Sequence, residues 1–100
     1  MEESSITLIT KDKSLLEKSL KYIEKIENPC SKSYLLSNIA HIFAKLEDLD
    51  AAINLLSKAM NHAMKIKDKD EKSETLRNIA MHFVALRMFN ALEIAKKNKI

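Results

Sequence analysis

The chain has 100 residues with no glycine, one proline and one cysteine, and 46% of its residues are hydrophobic while 31% are charged. Because glycine supplies the positive φ angles of hairpin turns and phosphate-binding loops, its absence excludes most β-architectures and glycine-rich nucleotide sites. The net charge is only +3, with cations and acids interspersed, so nucleic acid is a weak candidate for a partner. We therefore expect a single all-α domain over residues 1–100.

Hydrophobic periodicity predicts five helices in this domain. Residues 1–12 form a lead segment that either folds back over helix 1 or is flexible. Helix 1 covers 14–27 and is stopped by Asn28 and Pro29, and helix 2 runs from Ser31 to the acidic residues 47–48.

Caps and charged segments predict the remaining helix boundaries. Asp48 or Asp50 caps helix 3, which leaves through the charged residues 67–71. Helix 4 starts with Asp70 or Ser73 as its cap, and a break near residues 87–90 separates it from helix 5.

Helices 2 and 4 are copies of each other. Residues 32–46 align with 72–86 at a spacing of forty, with identical residues at positions 32, 33, 36, 38, 39, 40, 43 and 46. The helices that follow them repeat less strictly, with Ala52, Leu55, Leu56 and Ala59 matching Ala91, Ile94, Ala95 and Asn98. Residues 19–26 of helix 1 provide a third copy of that partner helix.

These residues resemble the tetratricopeptide-repeat (TPR) family. The order of Leu36, Ile39, Ala40 and Phe43, then an acidic turn at 47–50 and a small, large, small pattern at positions 52, 56 and 59, is similar to that family's repeat. The resemblance covers about residues 14–98 and implies a five-helix antiparallel hairpin array, an α-solenoid of about two and a half repeats. Two departures are alanine for glycine at positions 40 and 80 and a shortened, acid-free turn at 87–90.

The same resemblance implies a partner-binding groove, because the first helix of each TPR repeat lines the concave face. The residues that face away from the buried stripes form this predicted row: Tyr34, Ser37, Asn38, His41 and Lys45 on helix 2, with Glu74, Arg77, Asn78 and Met81 on helix 4. Ser37 and His41 depart from the family's carboxylate-binding clamp, so an acidic C-terminal peptide is not predicted. Arg77 is the best single candidate for binding, and the alternative for it is an exposed ion pair with Glu74 or an acid of 68–71.

Residue spacing predicts neither a catalytic nor a metal site. His41, His62 and His82 lie on three different helices and form no i,i+4 ligand pair, and His82 is interpreted as a core-boundary residue. Cys30 alone can form no intrachain disulfide, and Cys–His catalysis would need a proximity that the sequence does not reveal. We expect no cofactor, no metal and no enzymatic activity.

Apolar runs are too short for the roughly 20 residues of a membrane span, and the first five residues are acidic where a secretory signal is basic. We thus expect a soluble, cytoplasmic protein.

The leading hypothesis is a module that binds a peptide or protein through the face of helices 2 and 4. The alternative is self-association, as a homodimer or larger assembly, through apolar terminal helices that lack capping partners. Nucleic-acid binding is the weakest of the three.

Overall fold

A computed structural model describes residues 14–98, which form four α-helices and no strand. In chain order these are α1 (14–24), α2 (Pro29–Lys45), α3 (Leu49–Ala63) and α4 (Lys69–Asn98). The predicted all-α class is confirmed, but the predicted five-helix array is wrong, because the expected fourth and fifth helices are one 30-residue helix. The predicted lead segment 1–12 lies outside the described residues. Within 14–98, no helix is both long enough and apolar enough to cross a membrane.

Side-chain caps begin three of these helices. The Asn28 side chain accepts hydrogen bonds from the N–H groups of Cys30 (2.9 Å) and Ser31 (3.1 Å), and Pro29 occupies the first turn of α2. Asp48 accepts from the Ala51 N–H at the start of α3. Asp68 accepts from the Glu71 N–H at 2.9 Å, so Asp68 caps α4 rather than the predicted Asp70 or Ser73.

The turn between α2 and α3 closes without glycine. Glu47 has a φ of 64°, and its N–H donates to the Ala44 carbonyl while the Asp48 N–H donates to Phe43. This is the Schellman arrangement, in which glycine is the usual left-handed residue. Asp48 therefore takes part in ending α2 and also caps α3, so the chain reverses within three residues.

The core lies mainly between α2 and α3. Buried apolar side chains of α2 meet a stripe of small and large residues on α3: Leu36, Ile39, Ala40 and Phe43 against Ala52, Leu55, Leu56, Ala59 and Ala63. The first helix contributes Ile23, the loop before α4 contributes Ile66, and α4 contributes Ile79 and Leu86. Alanine at the helix contacts lets the α2 and α3 backbones approach closely.

The fourth helix continues through the predicted break because residues 87–90 contain no stop signal. The positions equivalent to Glu47 and Asp48 are Arg87 and Met88, and methionine cannot accept the N–H bonds that an aspartate cap accepts. Arg87 and Met88 favour the helix, and Phe89 and Asn90 are neither glycine nor proline, the residues that disfavour a helix most. The repeat pattern thus identifies the two halves of α4 correctly but misplaces a turn between them.

Truncation of a core leucine should be far more costly than truncation of a leucine on the distal half of α4. Leu56 is 2% exposed, while Leu92 is 61% exposed. We expect Leu56→Ala to lower the free energy of unfolding by about 2–5 kcal/mol, and Leu92→Ala by less than about 0.5 kcal/mol, measured by urea unfolding followed by circular dichroism. Equal losses would mean that residues 91–98 pack into the chain's own core.

Candidate functional site

The candidate site is the groove between α2 and residues 71–89 of α4. Beside the shared apolar core, two polar or aromatic contacts between described residues mark this groove: the Cys30 sulfur lies 3.7 Å from the Thr75 hydroxyl oxygen, and the rings of His41 and His82 lie 5.8 Å apart in an edge-on arrangement. Both contacts follow the chain in the same order, so α2 and α4 run parallel. Two cavities lie along this groove, one near each contact.

The first cavity, about 370 Å³ in volume, is the polar end of the groove. It is lined by Cys30, Ser31, Tyr34, Ser37, Glu71, Glu74, Thr75 and Asn78. Tyr34 and Glu74 are exposed there, whereas Ser37 is buried and its hydroxyl donates to the Ser33 carbonyl at 2.7 Å. Since that proton is already used within α2, Ser37 can offer a ligand only a hydroxyl lone pair.

Cys30 is not activated at the polar end. Hydrogen bonding with the Glu71 side chain raises the pKa of the Cys30 thiol, burial and the negative charges of Glu71 and Glu74 add to this, and Thr75 opposes it. A nucleophilic cysteine needs a lowered thiol pKa, and the position of Cys30 in the first turn of α2 does not outweigh the two carboxylates beside it. The thiol is therefore a protonated wall of the groove at neutral pH.

The second cavity, about 310 Å³, is the apolar end of the groove. Its lining is mostly small and apolar, with polar groups at the rim: Ala40, Ala44, Ala52, Leu56, Ala85, Leu86 and Phe89, with His41, Lys45 and His82. Alanines on both helices leave the space that larger side chains would fill. A pocket of this size accepts one or two apolar side chains of a ligand.

Burial sets the protonation of one rim histidine. Desolvation, with a smaller contribution from His41, lowers the pKa of His82 below its usual value. His82 is accordingly neutral at pH 7, and its ring can take part in packing and in a single hydrogen bond to a ligand. Half-burial agrees with the core-boundary position predicted for it.

Six of the nine predicted groove residues line these two cavities. Tyr34, Ser37, Glu74 and Asn78 lie at the polar end, and His41 and Lys45 lie at the apolar end. Asn38 is half-buried, Arg77 and Met81 are exposed, and none of the three lines either cavity. Within residues 14–98 no ion pair joins Arg77 to Glu74 or to the 68–71 acids, the alternative considered for it.

Sequence reasoning missed Thr75, His82 and Phe89 as groove residues. On a helical wheel all three lie toward α2, between the buried stripe of α4 and its outer face. Parallel packing of the two copies provides the signal that would have found them, because residues about forty positions apart then become neighbours. The continuous helix carries Phe89 to the groove, which the predicted break at 87–90 would have removed.

Cys30 also lines an open cleft of about 890 Å³ together with His62 at the end of the bundle. No hydrogen bond joins these two side chains in the described part of the chain, and desolvation together with Lys32, Lys65 and Lys58 lowers the pKa of His62. Across 14–98, no three His, Cys, Asp or Glu side chains are grouped closely enough to hold a metal ion. The cleft thus has the residue types of a Cys–His pair but not the pair itself.

No family model matches the chain, and comparison with curated proteins and with solved structures found no match. The resemblance to TPR repeats consequently stays a prediction, supported only by the residues that suggested it.

Acidification should destabilise the protein through His82. Its pKa is lowered in the folded state, so its contribution to stability is complete above the unfolded value of about 6.5 and is lost as pH falls through the folded value. We expect the His82 ring protons to titrate below about pH 6.5 in an NMR titration, and His41→Ala to move that midpoint upward. A midpoint at or above the unfolded value would contradict the burial of this ring.

Proposed function

We propose that the protein is a non-enzymatic interaction module that binds a peptide segment of another protein along the α2/α4 groove. The observation that supports this most directly is a pair of cavities along the same two helices. The apolar cavity lies beside Phe89, and the polar cavity lies nearer the N-terminal ends of α2 and α4. An open groove between parallel helices suits an elongated ligand better than a small molecule. The TPR resemblance favours the same face, and a cytoplasmic location stays a prediction from the sequence.

Charge at the two ends of the groove specifies the peptide. Glu71 and Glu74 line the polar end, and Lys45 lies at the rim of the apolar end. Complementarity therefore favours a ligand with a basic residue over the polar end and an apolar anchor followed by an acidic residue over the other. His41 and His82, which flank the anchor, add packing surface.

The chemistry of the groove supports binding rather than catalysis. Cys30 is the strongest nucleophile available there, and its thiol pKa is raised rather than lowered. His41 and His82 both line the apolar cavity, and their rings contact each other rather than a hydroxyl or a thiol. Acid–base or nucleophilic catalysis needs a reactive group within hydrogen-bond reach of its base.

Closing the apolar cavity should weaken selective peptide binding. Random peptides displayed on phage are selected against the chain, and a selected peptide is then titrated against variants by fluorescence anisotropy. We expect Ala85→Trp, which fills the cavity, to weaken binding by about tenfold or more, equivalent to at least about 1.4 kcal/mol. Lys45→Glu should weaken binding of acid-containing peptides in particular.

Tyr22→Ala is the matched control, because Tyr22 is an exposed aromatic residue on α1 that lines neither groove cavity. This variant should bind with unchanged affinity. Selected peptides that bind Ala85→Trp and the unmodified chain equally well would refute the groove as the binding site, as would enrichment of no peptide at all.

A further inference from the structure

The second repeat lacks the helix pairing that forms the core of the first. On α3, Ala52, Leu55, Leu56 and Ala59 are all buried against α2, whereas their copies Ala91, Ile94, Ala95 and Asn98 are all exposed on α4. Leu55 is 5% exposed and Ile94 is 51% exposed. The chain therefore contains a second set of helix-packing residues with no partner in the described structure.

The surface of α4 on which these residues would pack is also more exposed than the matching surface of α2. Ala40 is buried and Ala80 is exposed, and Phe43 is buried while Phe83 is half-buried. Beside these residues, a cleft of about 540 Å³ between α3 and α4 is lined by Ile53, Phe83, Val84 and Arg87 among others. In the first repeat, α3 covers the matching surface beside Phe43 of α2.

The packing residues of both halves lie on one face of α4. We call this face the outer stripe; it consists of Leu76, Ala80, Phe83, Ala91, Ile94 and Asn98. At 100° per residue, positions 76, 80 and 83 on the first half and 91, 94 and 98 on the second half fall within about 80° of one another. Their spacing is symmetric about Arg87, because 83 and 91, 80 and 94, and 76 and 98 are equally distant from it. A helix with such a palindromic stripe can pack on an antiparallel copy of itself with every level matched.

We propose that the outer stripe of α4 binds the outer stripe of a second copy of this chain, antiparallel, with a two-fold axis near Arg87. The distal half of each α4 then packs beside the Ala80 and Phe83 surface of the other chain, as α3 packs on α2 within one chain. The repeat supports this occupant in particular, since the seated α2–α3 pair carries matching residues at the same levels. The contact is isologous, so it closes at two copies.

Size and charge define the strength of this dimer. The matched region from position 76 to 98 is about 33 Å long. A contact between one pair of helices of this length is small for a protein interface, so we expect a reversible dimer. The two Arg87 side chains meet near the axis, and their repulsion further weakens it. The dimer uses the face of α4 away from α2, so the α2/α4 groove stays open and the peptide-binding proposal can fail or succeed separately.

Cysteine cross-linking tests the antiparallel pairing. In a Cys30→Ser background, the single variants Ala80→Cys and Ile94→Cys are mixed and oxidised. We expect a disulfide-linked dimer joining residue 80 of one chain to residue 94 of the other, identified by mass spectrometry. Within one chain these positions are about 21 Å apart along α4, beyond the reach of a disulfide.

Met81→Cys and Leu92→Cys form the matched control pair, because both positions are exposed and nearly as symmetric about Arg87 but lie on the opposite face of the helix. The control mixture should give several-fold less cross-linked dimer. Equal cross-linking by both mixtures, or none by the first, would overturn the proposal. So would an intrachain disulfide in the Ala80→Cys/Ile94→Cys double variant, since that requires α4 to fold back on itself.

Arg87→Leu provides an independent measurement that needs no cross-link. Removing the like charges at the axis should lower the dimer dissociation constant measured by sedimentation equilibrium. A dimer that is weakened by this change, or a chain that stays monomeric with leucine there, would place the contact elsewhere and contradict the proposed axis.

Discussion

Backbone hydrogen bonding in an α-helix continues until another group takes over the last carbonyls or the next N–H groups, and this constraint shapes the whole molecule. At the end of α2, Glu47 adopts a φ of 64° and Asp48 caps α3, at a cost of about 1 kcal/mol for a left-handed residue with a side chain. At the equivalent point of α4, Arg87 and Met88 provide neither function. The chain reverses in the first case and continues in the second.

Continuity of α4 gives this helix two separate surfaces, one for each of the two proposals. One side meets α2 and carries His82 and Phe89 to a cavity that a broken helix would leave without its end wall. The other side carries the outer stripe, which repeats the packing residues of α2 and α3 within one helix. The two surfaces of this 30-residue helix differ in chemistry. The first is an apolar cavity with charged groups near its ends, and the second is a row of alanines and larger apolar residues with Arg87 at its centre and Asn98 at one end.

Periodicity and the internal repeat were sufficient to predict the all-α class, the α2–α3 hairpin and the buried residues Leu36, Ala40 and Leu56, because these depend on side-chain spacing along single helices. The same reasoning named six residues that line the two cavities between α2 and α4. It could not predict that the expected fourth and fifth helices form one helix. The repeat shows which residues recur, but it does not show whether the segment between them still forms a turn. The shortened, acid-free segment at 87–90 was visible in the sequence, yet its consequence depends on competition between a turn and helix propagation. Thr75 and His82 were missed because their role arises only from the parallel packing of α2 on α4.

Backbone NMR of residues 87–90 in dilute solution, where the chain is monomeric, tests the central claim most directly. A continuous α4 predicts helical 13Cα shifts and sequential amide–amide contacts from Leu86 through Ala91, with no contact between Ala80 and Ile94 inside one chain. Coil-like shifts at Arg87 and Met88, together with Ala80–Ile94 contacts in the monomer, would show instead that the chain turns there and that the second repeat closes on itself.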